Sequence, residues 1–401
     1  MTATTKLGLK ENAFQFSILV LVNAFVGGMI GLERVILPEI AEQELGIDSK
    51  TAVLSFIMAF GITKAVSNYF TGKLANTLGR KNLLIIGWII ALPIPFLLMY
   101  ANNWNTIVFA NVLLGINQGL CWSSTVVMKI DLVGEKERGL AMGINEFSGY
   151  LAVGLVAFLS ASIAHNYGLR PYPFYMGVVM SIAGLLLSIF VVKDTKHHVQ
   201  KAQKTTTQNK VKNLFVHTSF SNPNLSATTQ AGLVNNLNDG MIWGLLPWLL
   251  LQHHYDMKTI GLIVGVYPMV WGLGQLFTGK LADLYSHKKI LFWGMLLQGI
   301  AICLLIFVSS KTSFLLLCTA LGLGTALVYP TFLVVIANNS SPIQRAESIG
   351  IFRLWRDLGY AIGALLSGII ADAFGINYAI ISIGILTILS ALVIQIRLKM
   401  P

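Results

Sequence analysis

Long apolar runs alternate with short polar segments along almost the whole chain. The runs fall near 14–37, 51–71, 82–101, 106–128, 139–163, 173–192, 227–251, 259–279, 289–309, 313–337, 348–371 and 378–396. Most are about 20 residues long, the length of a membrane-spanning helix and twice that of a barrel strand. Backbone N–H and C=O groups find no water in hydrocarbon, so only helices and closed barrels cross it. The pattern therefore predicts an all-α integral membrane protein with twelve spans. Composition agrees, with 55% apolar and 11% charged residues, too little charge to cover a soluble protein of this size.

The one long polar interruption is 193–224, with six lysines, His197 and His198, and a Thr/Gln-rich stretch at 204–210. Such a composition buries no core and reads as a flexible linker. It divides the chain into a six-span half at 1–192 and a second at 225–401. The halves are related. Gly72-Lys73-Leu74-Ala75-Asn76 recurs as Gly279-Lys280-Leu281-Ala282-Asp283, at an offset of 207 residues. Arg138 and Gly143 recur as Arg345 and Gly350 at the same offset, and Gly149-Tyr150 recurs as Gly359-Tyr360 at an offset of 210. Six is even, so both copies enter from the same side and form a parallel repeat.

The net charge of +11 is a matter of topology. With both termini inside, cytoplasmic segments hold 20 of the 28 Lys and Arg residues, external loops hold four, and spans hold Arg34, Lys64, Arg353 and Arg356. This positive-inside bias orients the chain in a cell (inner or plasma) membrane and removes the need for a nucleic-acid partner. Cys121, Cys303 and Cys318 all lie in spans, where disulfides are not expected. The first apolar run is too long for a signal peptide and leads into Glu33 and Arg34 rather than a cleavage site, so it is expected to stay.

The segment Gly72-Lys73-Leu74-Ala75-Asn76-Thr77-Leu78-Gly79-Arg80-Lys81 resembles motif A of the major facilitator superfamily, with Asn76 at the position of the family's Asp. The second copy, from Gly279, restores Asp283 but has Ser286 and His287 where the motif has Gly and a basic residue. The resemblance spans essentially the whole chain. It implies two pseudo-symmetric six-helix bundles, transport by rocking of the halves, a cavity lined by helices 1, 4, 7 and 10, and ionic contacts in this loop that latch the outward-facing state. Asp131 ends the fourth span where its repeat partner is Asn338, so Arg80 and Asp131 are expected to pair. Gly72, Asn76, Gly79, Arg80, Asp131 and Asp283 are the gating candidates of this region; simple positive-inside charge is the alternative.

An ionisable group inside a span marks a functional candidate. In the seventh span Asn235, Asn238 and Asp239 stand at i, i+3 and i+4. Asp239 lies roughly 18 Å from the cytoplasmic end at 1.5 Å per residue. It is either a proton-coupling or solute-binding carboxylate, or a structural one satisfied by the asparagines or Lys64. Asn23, Asn117, Gln118, Trp122 and Tyr329 join it as cavity candidates on the helices that the resemblance implies; interhelical packing is their alternative role. In the eleventh span Arg353 and Asp357 are spaced to pair along the helix. Arg353 is also the repeat equivalent of Glu146, so Glu146, Arg353, Arg356 and Asp357 are candidates for a gate between halves. Glu33 and Arg34 read as an interfacial pair at the outer end of the first span, with part of an external vestibule as the alternative. His253, His254 and Asp256 read as a solvated loop and not a metal site.

No phosphate-cradling glycine loop or His/Glu metal pair appears, so neither an enzyme nor a cofactor is expected. The expected activity is transport of a small organic solute, as proton-coupled efflux by a monomer. Uptake, coupled or uncoupled, is the alternative, because 139–161 lacks the Gly-Pro motif typical of drug/proton antiporters. A non-transporting membrane sensor or scaffold is the alternative of another class.

Overall fold

Capping residues set the helix starts at both ends of the bundle, and glycines set several of the stops. The computed structural model describes residues 7–134, 138–195, 211–341 and 344–399, except for the side chains of 72, 73, 76, 138, 279, 280, 282–284 and 346. The sequence expectations for the side chains at Gly72, Asn76 and Asp283, and for most of the 193–224 linker, lie outside the described residues.

The long helices are α1 (Ala13–Arg34), α2 (Lys50–Leu78), α3 (Arg80–Ala91, extended by Pro93–Met99), α4 (Trp104–Val133), α5 (Arg138–Tyr167) and α6 (Tyr175–Phe190) in the first half. The second half holds α7 (Pro223–Gln252), α8 (Met257–Leu284), α9 (His287–Leu304), α10 (Lys311–Asn338), α11 (Arg345–Phe374) and α12 (Ile376–Arg397). Ser49, Asn103, Asn222, Asp256 and Ser310 cap α2, α4, α7, α8 and α10 by accepting from first-turn N–H groups, which satisfies donors the helix leaves orphaned. Gly79 and Gly134 stop α2 and α4 with φ of 86° and 77°, a backbone region that glycine enters without penalty.

Eleven of the twelve, with their extensions, are long and apolar enough to span a membrane. The exception is α7, whose Asn235, Asn236, Asn238 and Asp239 lower its hydropathy. Its polar residues are buried instead by other helices, as suits a helix at the centre of a membrane bundle.

The architecture is two six-helix bundles. Within them α1 packs on α5 and α7 on α11, equivalent pairs of the repeat; between them α5 packs on α8 and α2 on α11. The α5–α8 seam is close: a Cβ on Gly265 would lie 2.7 Å from the Gly154 carbonyl oxygen. Small residues allow this approach where lipid provides no hydrophobic drive.

The halves are tied at one end of the bundle, where α2 begins and α7 and α11 finish. Asp372 of α11 accepts from the N–H groups of Lys50 and Thr51 at 2.6 and 3.0 Å and from the Ser49 hydroxyl at 2.9 Å. Trp248 of α7 donates to Glu42 at 2.7 Å, and the Lys50 ammonium lies 3.6 Å from the Trp248 ring centroid.

Two sequence expectations are corrected. Glu33 and Arg34 are not interfacial: they are 0% and 1% exposed. The chain continues past them as a helical turn Leu37–Glu39 and a π-turn Ile40–Glu44, so the helical stretch ends ten residues beyond Arg34. Lys129, counted among the cytoplasmic cations, sits inside α4 and donates to Asn145 of α5 at 2.5 Å, because α4 runs five residues beyond its apolar core.

Candidate functional site

Between the bundles, at mid-height, lies a layer of buried charged groups enclosed by aromatic rings. Asp239 is sixteen residues into the 30-residue α7 and is wholly buried. Tyr267 of α8 donates its hydroxyl to Asp239 Oδ1 and lies 3.5 Å from the Thr325 hydroxyl of α10. Tyr360 and Lys64 are further polar neighbours of the carboxylate. The neighbouring asparagines do not satisfy it: Asn235 donates to Asn236. Asn238 donates to Gln298 of α9 at 3.2 Å and accepts from Thr387 of α12 at 2.6 Å. Asn238 thus faces the interior of its own bundle, since a step of one residue turns a side chain by about 100° around the helix.

A second carboxylate, Asp357 of α11, is also fully buried. Arg356 reaches it at 2.7 and 2.9 Å and donates to the Tyr329 hydroxyl at 2.6 Å. Across the interface Asn68 of α2 donates to Asp357 at 2.5 Å and accepts from Ser123 of α4 at 2.7 Å. One hydrogen-bonded chain therefore links α4, α2, α11 and α10. The spacing-based pairing of Arg353 with Asp357 is not formed, because Arg356 occupies the carboxylate; Arg353 is half-buried. Nor does Arg353 meet Glu146, which accepts from Trp122 Nε1 and Asn145 Nδ2, both at 3.0 Å.

Aromatic side chains from both halves fill the space around these groups. Tyr150 of α5 stacks on Trp271 of α8 with ring centroids 3.5 Å apart, and Trp122 and Tyr329 lean on the pair. One turn beyond Asp239 along α7, Trp243 stacks on Tyr360 of α11 at 5.1 Å. Stacked rings with a few fixed charges suit an organic solute with an aromatic or apolar body.

Three other predicted cavity residues bind their own bundle. Asn117 donates to the Gly87 carbonyl of α3, Gln118 to the Val26 carbonyl of α1, and Asn23 to the Asn145 carbonyl while accepting from Thr125. Trp122 and Tyr329 do reach the central layer. Where α3 begins and α4 ends, Arg80 Nε is 3.5 Å from Asp131 Oδ2, and Thr195 donates to the same oxygen at 2.7 Å. This pair joins elements of one half. Asp256 caps α8; hydrogen bonds from Thr259 hold its carboxyl below the usual range. Among the described residues no three His, Cys, Asp or Glu side chains cluster as metal ligands.

Tyr150, Tyr267, Trp271 and Tyr360 were not singled out as site residues. A signal existed for two of them: Tyr150 and Tyr360 are the tyrosines of the repeated Gly-Tyr pair, and each stacks on a tryptophan, Tyr150 on Trp271 of the other half and Tyr360 on Trp243 of its own.

Comparison with known proteins agrees with this architecture. The sequence model described as Major Facilitator Superfamily matches residues 17–230 and 228–400. The chain is 25% identical over 360 residues to the multidrug resistance protein MdtG of Salmonella typhimurium, covering 87% of this chain and 86% of that protein. It is 24% identical over the same length, with the same coverage, to MdtG of Salmonella arizonae. Its fold is similar to the crystal structure of the human organic anion transporter MFSD10 (TETRAN), with a TM-score of 0.72 and 14% identity, covering 96% of this chain and 99% of that one.

Proposed function

The chain belongs to the Major Facilitator Superfamily, a family of transporters, and we propose that it exports a small organic solute in exchange for protons by rocking of its two bundles. In this reading 1–192 and 225–401 are the moving units, and 193–224 links them on the cytoplasmic side together with both termini.

The observation that carries the reading is Asp239: a carboxylate fully buried at mid-height in α7 and held by Tyr267 among aromatic rings. A buried carboxylate is costly to keep charged unless paired, so uptake and release of a proton there is favoured as the surroundings change. Alternating access supplies that change. Opening toward either side hydrates Asp239, and closure dries it. Arg80 and Asp131, together with Glu146, Arg353, Arg356 and Asp357, act in this reading on the switching between states and not on solute recognition. Export is favoured by the multidrug resistance named for the Salmonella relatives, since resistance by transport requires outward movement. The absence of a Gly-Pro pair in 139–161 leaves uptake as the second reading.

The test is flux in proteoliposomes. Purified protein is given an imposed pH gradient and a panel of organic cations, anions and neutral solutes. Solute movement opposite to proton flow supports proton-coupled export. Movement in the same direction supports coupled uptake, and no movement of any solute points to a sensor or scaffold.

A further inference from the structure

The most unusual side chain of the central layer is Arg34. It is 1% exposed, yet none of its three guanidinium nitrogens has a hydrogen-bond acceptor among the described residues. Its nearest carboxylate, Glu33, is its own neighbour on α1. Adjacent helical side chains diverge by about 100°, and the closest approach is a single 3.7 Å contact to Glu33 Oε1. The other Glu33 oxygen accepts from Asn111 of α4 at 3.1 Å. The fork of N–H donors that makes arginine a bidentate ligand for carboxylates and phosphates is therefore unused. The guanidinium rests instead on ring faces, 4.5 Å from the centroid of Phe60, 4.9 Å from Trp243 and 5.4 Å from Phe56.

A second cation stands nearby. Lys64, one turn along α2 from Phe60, is 4% exposed and has its ammonium 5.3 Å from the centroid of that same ring, 5.0 Å from Tyr360 and 5.7 Å from Trp122. Among the described residues the other buried cations are engaged by oxygen: Arg356 by Asp357 and Tyr329, Lys129 by Asn145, and Arg80 by Asp131. Arg34 and Lys64 thus share a ring and lie against π faces, Lys64 with the carboxylates of Asp357, Glu146 and Asp239 as charged neighbours. Cation–π contacts hold a cation in place without consuming its N–H donors. Trp243, whose ring covers Arg34, belongs to the other half, so separation of the extracellular ends uncovers the guanidinium.

We propose that Arg34, assisted by Lys64, is an anion-recognition site in the transport path, and that the solute carries a carboxylate or comparable acidic group on an aromatic or apolar body. The inference rests on the transport reading and narrows it to organic acids. The acidic group takes the donors of Arg34, and the body lies on Phe60, Trp243 and Tyr360. Exchange of one inward proton for one outward monoanion moves two charges across the membrane, so the flux responds to membrane potential as well as to the pH gradient.

The test uses three probes of similar size: 2-naphthoate, N-methylquinolinium and 2-naphthalenemethanol, radiolabelled, with equilibrium binding and proteoliposome flux measured separately. The wild-type protein is expected to bind naphthoate about tenfold or more tighter than the cation or the alcohol, which is about 1.4 kcal/mol of preference. Arg34→Gln is expected to lose about tenfold in naphthoate affinity while changing the other two by less than threefold. Lys64→Gln should lose less than Arg34→Gln. The wild-type preference stands as a criterion even if a variant fails to fold. Equal or tighter binding of quinolinium overturns the proposal, as does unchanged naphthoate affinity in folded Arg34→Gln. Arg34-dependent naphthoate binding without flux leaves the site standing and removes the transport reading. Gradient-driven flux of quinolinium alone does the reverse, and no binding of any probe counts against the site.

Discussion

Asp372 near the C-terminal end of α11 accepts a 2.6 Å hydrogen bond from the backbone N–H of Lys50, the first residue of α2. A carboxylate from one bundle thus caps a helix of the other, where both the free N–H groups and the helix dipole favour negative charge. Capping of this kind is worth about 0.5–2 kcal/mol, which is roughly a 2- to 30-fold bias toward the arrangement in which these two helix ends meet. Asp372→Ala should shift the protein toward the outward-open state. Labelling of Leu54→Cys, buried against Gly244, by an impermeant maleimide in a cysteine-free background measures the shift. The rate should rise several-fold, and an unchanged rate counts against the tether.

Asn238 is a bundle-packing residue, with bonds to Gln298 and Thr387. Interhelical hydrogen bonds in membranes average about 0.6 kcal/mol each, so Asn238→Ala should cost about 1 kcal/mol and lower Tm by a few degrees. Solute affinity should stay within about threefold, by equilibrium binding in detergent. A large affinity loss at unchanged Tm would return Asn238 to the solute site.

Arg80 and Asp131 sit at one rim of their half, where α3 begins and α4 ends, far along α4 from Trp122. Arg80→Ala is expected to slow turnover about tenfold while equilibrium solute binding changes by less than about threefold. Comparing exchange kinetics with binding separates the two; a binding loss at normal exchange rate contradicts the assignment.

The orientation is tested at Lys212, an exposed residue before α7. Lys212→Cys should react with an impermeant maleimide in inside-out vesicles and not in intact cells, and the opposite pattern would invert the topology.

Much of the fold was legible because spans announce themselves as apolar runs and the repeat carries polar landmarks. Asp239 stood out for the same reason, as a charge where the solvent is lipid or protein. What periodicity does not reveal is which neighbour a helix face meets. Asn117, Gln118 and Asn23 lie on helices expected to line the cavity, yet turn toward Gly87, Val26 and Asn145. Arg34 was misplaced because the chain stays helical past Pro38, and a proline in the first turn of a new helical segment is no stop. The Arg356–Asp357 pair competes with the i, i+4 spacing of Arg353, and only side-chain geometry decides it.

The central claim is that Asp239 carries the coupling proton. Asp239→Asn preserves shape and can still receive the Tyr267 hydroxyl, but it does not titrate. The decisive measurement is solute accumulation in proteoliposomes under an imposed pH gradient, with counterflow of the same solute as the control for a working carrier. The expected result is loss of gradient-driven accumulation with counterflow retained. Accumulation by Asp239→Asn with the wild-type pH dependence would contradict the claim and move coupling to Glu146 or Glu33.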